Sequence, residues 1–391
     1  MPELIKRYGL PIFLIVLSVI VVFVSLRDWS KGSEFRDGAI NSRINNYVIF
    51  TTAFEQLIEK GDLYTVHPEK HFDIYKYSPT FAFFMAPFYY APVWLGLPIW
   101  NLLNVLILYL GLRMLPELDR KKVLIVLFIL GMELVGSVMN EQSNGLMAGL
   151  IVLSIALMER QKVFWAMALL VGSVYIKLFS LVFLSMLFFY PNFIRNSLIV
   201  VFWILFYAFI PALVTGWEQL MALYKSWGYL LAFDHSSSVG YSVLGILDSW
   251  FNAHPDKFYL VFAGLVLSMT PLLKAKNFMR REFRYDFMSM LLIWVIIFNH
   301  KAESPAFVIA MTGIGIWYVT GERTRLKNYL LIFAIFFISI GFSDLMPKLV
   351  REAFFYRYSL KALPGIVIWG WLVYRLMTTD YKHQKGVHVV E

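Results

Sequence analysis

The segment NNYVIFTTAFEQLIEKGDLY (residues 45–64), followed by YKYSP (75–79), is a polar, aromatic-rich interval between one long apolar run and a series of others. The apolar run before it is LPIFLIVLSVIVVFVSL (10–26), behind Lys6 and Arg7. No small-x-small cleavage site follows, so it reads as an uncleaved first span. The whole interval from Arg27 to Ser78 carries Asp28, Glu34, Asp37, Asp62 and Asp73. A chain that places its longest acid-rich loop directly after its first span has the layout for chemistry at a membrane surface. Within that loop, residues 47–60 set Ile49, Ala53, Leu57 and Ile58 on one helical face, which predicts an amphipathic helix lying on the bilayer. Gly61 stops it. The series Phe72, Tyr75, Tyr77 leads to Pro79, a residue suited to the first helical position. The plain alternative is an interfacial helix with an aromatic belt and no chemistry.

Composition sets the solvent. The chain has 391 residues, 59% hydrophobic and 18% aromatic, with a mean hydropathy of +0.64. A soluble domain has no means of hiding so much apolar surface. The formal net charge of +9 is spread in short clusters between apolar runs, which is a topology signal and no nucleic-acid footprint. Clusters such as Arg280, Arg281 and Arg284 also suit anionic lipid headgroups. With no cysteine, disulfides, thiol catalysis and Cys-based metal sites are excluded. Glu117 and Asp119 beside basic residues read as a solvated turn, so no metal site and no cofactor is expected.

Twelve apolar segments lie near 10–26, 78–92, 97–112, 123–139, 145–158, 163–190, 196–214, 257–274, 287–299, 304–320, 328–343 and 363–378. A span needs roughly 20 residues, so about twelve crossings are expected, some tilted or re-entrant. None alternates with the period of a barrel strand. The expectation is therefore an all-α polytopic membrane protein of one domain, residues 1–391. Lysine and arginine placement puts both termini in the cytoplasm of a cell, a bacterial inner membrane being the expected one, with 379–391 as a cytoplasmic tail. The loops 27–78 and 215–256, with 300–303 and 344–362, then face outward. Two readings of 78–190 remain: one crossing plus a re-entrant hairpin over 78–112, or two crossings there and one kinked span over 163–190. The single large early loop has no counterpart in the second half, which favours an enzyme over a two-halved carrier.

The order of elements resembles a known family. A helix ending in Gly61-Asp62-Leu63-Tyr64, the turn YKYSP, Ala86-Pro87, Pro92 and Trp100-Asn101 is similar to glycosyltransferase family 87, polyprenol-phosphate-sugar-dependent enzymes of GT-C fold. Asn140-Glu141-Gln142-Ser143-Asn144, Lys177 and Ser304-Pro305 extend the resemblance across about residues 10–320. It implies a GT-C-like bundle with interfacial helices in the first outer loop. It also implies transfer of a hexose, mannose being favoured, from a polyprenyl-phosphate donor to a lipid-linked or glycan acceptor. Membrane lipids are the expected surroundings, and nucleic acid is not an expected partner. The alternatives are a transporter or flippase of lipid-linked sugars and a catalytically silent relative that binds lipid.

The family's catalytic aspartate falls on Asn45 or Asn46, and an amide is no general base. Asp73 in HFDIYKYSP is the expected substitute, partial desolvation raising its pKa, with Asp37 next. Donor binding is expected from Tyr64, Tyr75, Lys76, Tyr77, Glu141, Gln142, Asn144 and Lys177. The short turn Asn299–Glu303 adds His300, Lys301 and Glu303, with snorkelling to headgroups as the alternative for the two cations. Glu133, an acid inside LFILGMELVGSV, is a functional candidate by its cost. The loop 215–256 contributes Trp217, Trp227, Trp250 and the neighbours Asp234 and His235. Arg351, Arg357 and Lys361 are candidates for lipid phosphate.

Overall fold

The computed structural model describes residues 2–233 and 239–381. Asp234, His235 and the Lys382 and Lys385 of the tail lie outside the described residues. In chain order the elements are α1 (Pro2–Ser30), a hairpin of β1 (Ser33–Arg36) and β2 (Ala39–Ser42), α2 (Asn45–Ile58), α3 (Pro79–Phe84), α4 (Ala86–Tyr90), α5 (Val93–Met114), α6 (Arg120–Val138), α7 (Asn144–Met158) and α8 (Val163–Ile176). A 3-10 stretch (Leu178–Phe189) leads into α9 (Phe193–Phe209), α10 (Ala212–Thr215), α11 (Trp217–Phe233), α12 (Val243–Phe251), α13 (Lys257–Met269) and α14 (Arg281–Ile297). Then come α15 (Phe307–Val319), α16 (Arg325–Ala334), α17 (Lys348–Val350) and α18 (Leu363–Thr378).

The helices fall where the apolar segments predict, and among the described residues three are long and apolar enough to cross a bilayer: Tyr8–Ser30, Val93–Met114 and Phe193–Thr215. Others are shorter or broken. Residues 79–90 form two short helices, because Pro79 and Pro87 suit starts and Met85 closes the first. Neither is long enough by itself to cross a bilayer. Residues 163–190 likewise split into α8 and a 3-10 stretch at Lys177.

The first compact unit comprises residues 1–182, 194–238 and 304–309. Its centre is α5 packed on α7, with α1, α6 and α8 around them. A methyl on Gly149 would sit 2.5 Å from the Leu108 amide nitrogen, so the backbones of α5 and α7 approach as only glycine allows. The inner stripe of α1 is Leu17, Val21, Val24, Ser25 and Asp28, all buried, while Ile15, Val16, Val19 and Phe23 face out. Such a stripe at helical spacing is the protein-facing side of a lipid-exposed helix. The second unit, residues 183–193, 239–303 and 310–391, centres on α14, which packs against α13 and α18.

Two expectations about the first loop change. A two-stranded antiparallel hairpin, Ser33 opposite Ser42 and Arg36 opposite Ala39, interrupts the all-α reading. Its Asp37-Gly38 turn has both φ angles positive, the geometry a tight hairpin with right-handed twist demands. And α2 does not rest on a membrane by its Ile49, Ala53 and Leu57 face. Those residues are buried, and the helix packs on α3 and α4. Tyr47 donates to the Phe88 carbonyl at 3.0 Å, and Phe50 meets the rings of Tyr77, Phe81 and Trp100 at 5.2–5.8 Å.

Candidate active site

The site grows from the turn between α6 and α7. Its carbonyls are claimed from two other elements: Asn46 Nδ2 donates to the Asn140 oxygen at 2.8 Å, and Trp100 Nε1 to the Glu141 oxygen at 2.8 Å. Asn104 Oδ1 accepts from the Leu146 amide at 2.8 Å, holding the first turn of α7 against α5. So anchored, Glu141 sits at φ 47°, a left-handed conformation that costs a non-glycine residue of order 1 kcal/mol or more. Its side chain is buried. Burial first, and the charge of Asp28 second, push its pKa up to about 9. At neutral pH Glu141 is a carboxylic acid with a hydrogen to donate.

Asp28 is the residue the sequence reading passed over. It closes the buried stripe of α1, three residues past Ser25 and so on the same face. Ser25 accepts from Asn101 Nδ2 at 2.9 Å, which binds this end of α1 to α5. Asp28 is 4% exposed. Arg27 holds it through Nε at 3.0 Å and Nη2 at 2.7 Å, and Lys31 stands at 3.4 Å. A buried carboxylate needs such partners to be tolerated. Glu141 and Asp28 are thus carboxyl groups in different surroundings, one buried in a strained turn and one beside two cations.

Lys177 supplies a cation in the same unit. Its Nζ donates to Asn144 Oδ1 at 2.6 Å, and Asn144 Nδ2 donates to Gln142 Oε1 at 2.5 Å. The ammonium lies 5.9 Å from the Tyr77 ring centre. Ile176, the preceding residue, lines an apolar cavity of about 200 Å³ together with Phe81, Trp100, Leu150, Gly172 and Tyr207. The turn residues Gln142 and Asn144, with Lys177 and Tyr77, thus lie together, and Glu141 belongs to the same turn. Asn45 and Asn46 belong to the same assembly as positioning groups, Asn45 Oδ1 facing the Phe72 amide at 3.4 Å. Tyr64 and Tyr75 are buried behind it, donating to the carbonyls of Tyr77 at 3.0 Å and Ser78 at 2.7 Å. Their hydroxyls brace the YKYSP turn.

The two acids expected as bases are both exposed. Asp73 is half-exposed, accepts from the Ile74 amide and pairs with Lys76 at 3.3 Å. Asp37 is at the hairpin tip, 86% exposed and beside Arg36. His300, Lys301 and Glu303 occupy a turn of the second unit. There the Lys301 amide donates to Asn299 Oδ1 at 3.0 Å and Tyr241 N to the Ala302 carbonyl at 2.9 Å. Gly240, at φ 55°, admits that turn, since a methyl there would lie 2.8 Å from the His300 carbonyl oxygen. Glu133 is buried on α6, which packs on the 3-10 turn Ser304–Ala306. Trp227 donates to the Lys76 carbonyl and Trp250 to the Tyr358 carbonyl, while Trp217 is exposed. Lys361 is buried, donating to the Ile338 carbonyl at 2.9 Å, and Arg351 pairs with Asp344 at 2.6 Å. Arg357 lies over the Tyr358 ring.

A polytopic helical protein with a buried carboxyl pair, a cation and an adjoining apolar cavity has the parts to handle a charged lipid. The chain belongs to glycosyltransferase family 87, whose family model matches residues 75–299. It is also similar to the crystal structure of ArnT from Cupriavidus metallidurans bound to undecaprenyl phosphate, at 11% identity and a TM-score of 0.39, covering 94% of this chain and 77% of that one. No curated protein matches the chain.

Proposed function

We propose that this chain transfers a hexose, mannose favoured, from a polyprenyl-phosphate donor to a lipid-linked or glycan acceptor at the extracytoplasmic face. Membership of glycosyltransferase family 87 supports the reaction class. The observation that carries the reading is the run from apolar cavity to Lys177 to the 140–144 turn. It suits an isoprenoid tail that ends in a phosphate beside a cation.

In this reading the donor's chain lies in the cavity, and Lys177 meets its phosphate as a charge-assisted donor. The acceptor hydroxyl oxygen attacks the anomeric carbon. The bond from that carbon to the phosphate oxygen breaks, and the hydroxyl proton passes to Asp28. The polyprenyl phosphate leaves with the bonding electron pair, its charge offset by Lys177. Glu141, protonated, donates to a sugar or phosphate oxygen. Asp28 replaces Asp73 as the proposed base. His300 and Lys301, on their own turn of the second unit, carry side chains whose chemistry also suits a lipid phosphate.

Purified protein in liposomes, given a polyprenyl-phosphomannose donor and an acceptor, is expected to release polyprenyl phosphate and to glycosylate the acceptor. A carrier would move donor between leaflets with the sugar–phosphate bond intact. A silent relative would bind donor and do neither. Either outcome ends the transferase reading.

A further inference from the structure

A second cavity, of about 360 Å³, lies at the C-terminal end of α1. Trp29 lines it, the residue after Asp28, with Ser33 and Ser42 of the hairpin, Glu69 and Lys70 of the next loop, and Val93 at the start of α5. Its volume falls in the range of small-molecule sites, ~300–1,000 Å³. Four separate segments build it, and they are tied together. The Ile40 amide donates to the Pro68 carbonyl at 2.8 Å, and Ser42 Oγ accepts from the Ile44 amide at 3.2 Å. Lys70 is held by Glu55 of α2 at 2.6 Å, and Glu69 by His67 at 3.3 Å. The hairpin is thus fastened as a wall.

We infer that this cavity holds the saccharide of the acceptor, with Trp29 as the platform for a sugar ring. This rests on the transferase reading above and adds its acceptor subsite. An indole face stacks on the C–H face of a pyranose, as amphipathic aromatics do with half-polar partners. Serine hydroxyls, a carboxylate and an ammonium around it match the paired donors and acceptors of vicinal sugar hydroxyls. An acyclic headgroup such as phosphocholine or phosphoethanolamine offers no such ring face, and an isoprenoid tail has no use for the four polar groups. The position is apt, since consecutive residues put the platform and the proposed base at one helix end.

The test uses the full chain in nanodiscs and the methyl glycosides of glucose, galactose and mannose as probes. Saturation-transfer NMR is expected to mark the ring protons of at least one glycoside without any donor present. Trp29→Ala should remove that signal and Trp29→Phe restore most of it. In turnover with an acceptor, Trp29→Ala should raise the acceptor KM about tenfold, the loss falling on KM rather than kcat. Glu69→Gln should raise it several-fold without involving the aromatic platform. Saturation that appears in lipid headgroup protons alone, or an unchanged acceptor KM in both variants, overturns the subsite. Because glycoside binding needs no donor, its presence together with a failure to release polyprenyl phosphate would sink the proposed reaction and leave the sugar site standing.

Discussion

Two ionic clusters among the described residues, one in each unit, are built differently. In the second unit, Arg375 bridges two acids, donating from Nε to Asp286 at 2.8 Å and from Nη2 to Glu282 at 2.5 Å. Tyr381 donates to the same Asp286 oxygen at 2.8 Å, and Lys327 spends its hydrogens on the carbonyls of Trp317 and Thr320 at 3.0 and 2.7 Å. Charges there answer one another across α14, α16 and α18. In the first unit, Glu141 is buried in a strained turn and feels chiefly burial and another carboxylate. One cluster cancels its charge locally and fastens helices. The other sets a buried Glu141 near an Asp28 whose charge is met by Arg27 and Lys31, and the strained turn that carries Glu141 has a cost that packing elsewhere must offset.

That contrast can be broken most sharply at Asp28. Asp28→Asn is expected to lower the transfer rate by about 10²–10⁴, the span of general-base contributions, while Asp73→Asn stays within about twofold. The measurement is release of polyprenyl phosphate from donor in liposomes; equal losses in the two variants would return the base to Asp73. Next in size is the structural cluster. Arg375→Met strands the buried Asp286 and the half-buried Glu282, and removal of one partner of a buried pair costs about 3–5 kcal/mol. A thermal melt in detergent should drop by several degrees, with the donor KM of the surviving folded fraction unaltered.

Lys177→Ala is expected to lose about tenfold in kcat/KM through a weaker donor phosphate contact, with Lys177→Arg recovering part of it. Full activity in the alanine variant would detach the cavity from the phosphate. The smallest effect belongs to Glu141→Gln and is read against pH. The folded pKa of about 9 lies above the ordinary 4.5. Between those values the folded chain holds a proton that the unfolded chain has lost, so stability falls as pH rises through that window. Gln removes the slope. The variant should melt above the parent near pH 9, the gap closing toward pH 4.5, and it should keep most activity at pH 7 because the amide still donates.

The sequence made several of these features legible. Twelve apolar segments matched helices because lipid exposure leaves a compositional trace on every turn of a helix. The NEQSN turn stood out as amides and an acid between two apolar runs, and Lys177 as a lone cation after one. Asp28 left a signal too, at spacing i+3 from Ser25 and i+7 from Val21, yet the long polar loop after it drew attention to more accessible acids. Asp73 looked suited by its distance from Pro79 along the chain, but distance along a loop says little about burial. The hairpin at Asp37-Gly38 was missed because two four-residue strands with exposed faces carry almost no periodicity.

Local rules of composition, punctuation by proline and glycine, and charge placement were enough to make this a helical membrane chain and to order its elements. They act within a few residues, so one chain with no partners obeys them. Which carboxylate is buried beside which cation depended on α1, α5 and the 140–144 turn meeting through Ser25, Asn101 and Trp100. Contacts separated by tens of residues leave no local periodicity, and burial, which tunes a carboxyl group, exists only once those helices pack.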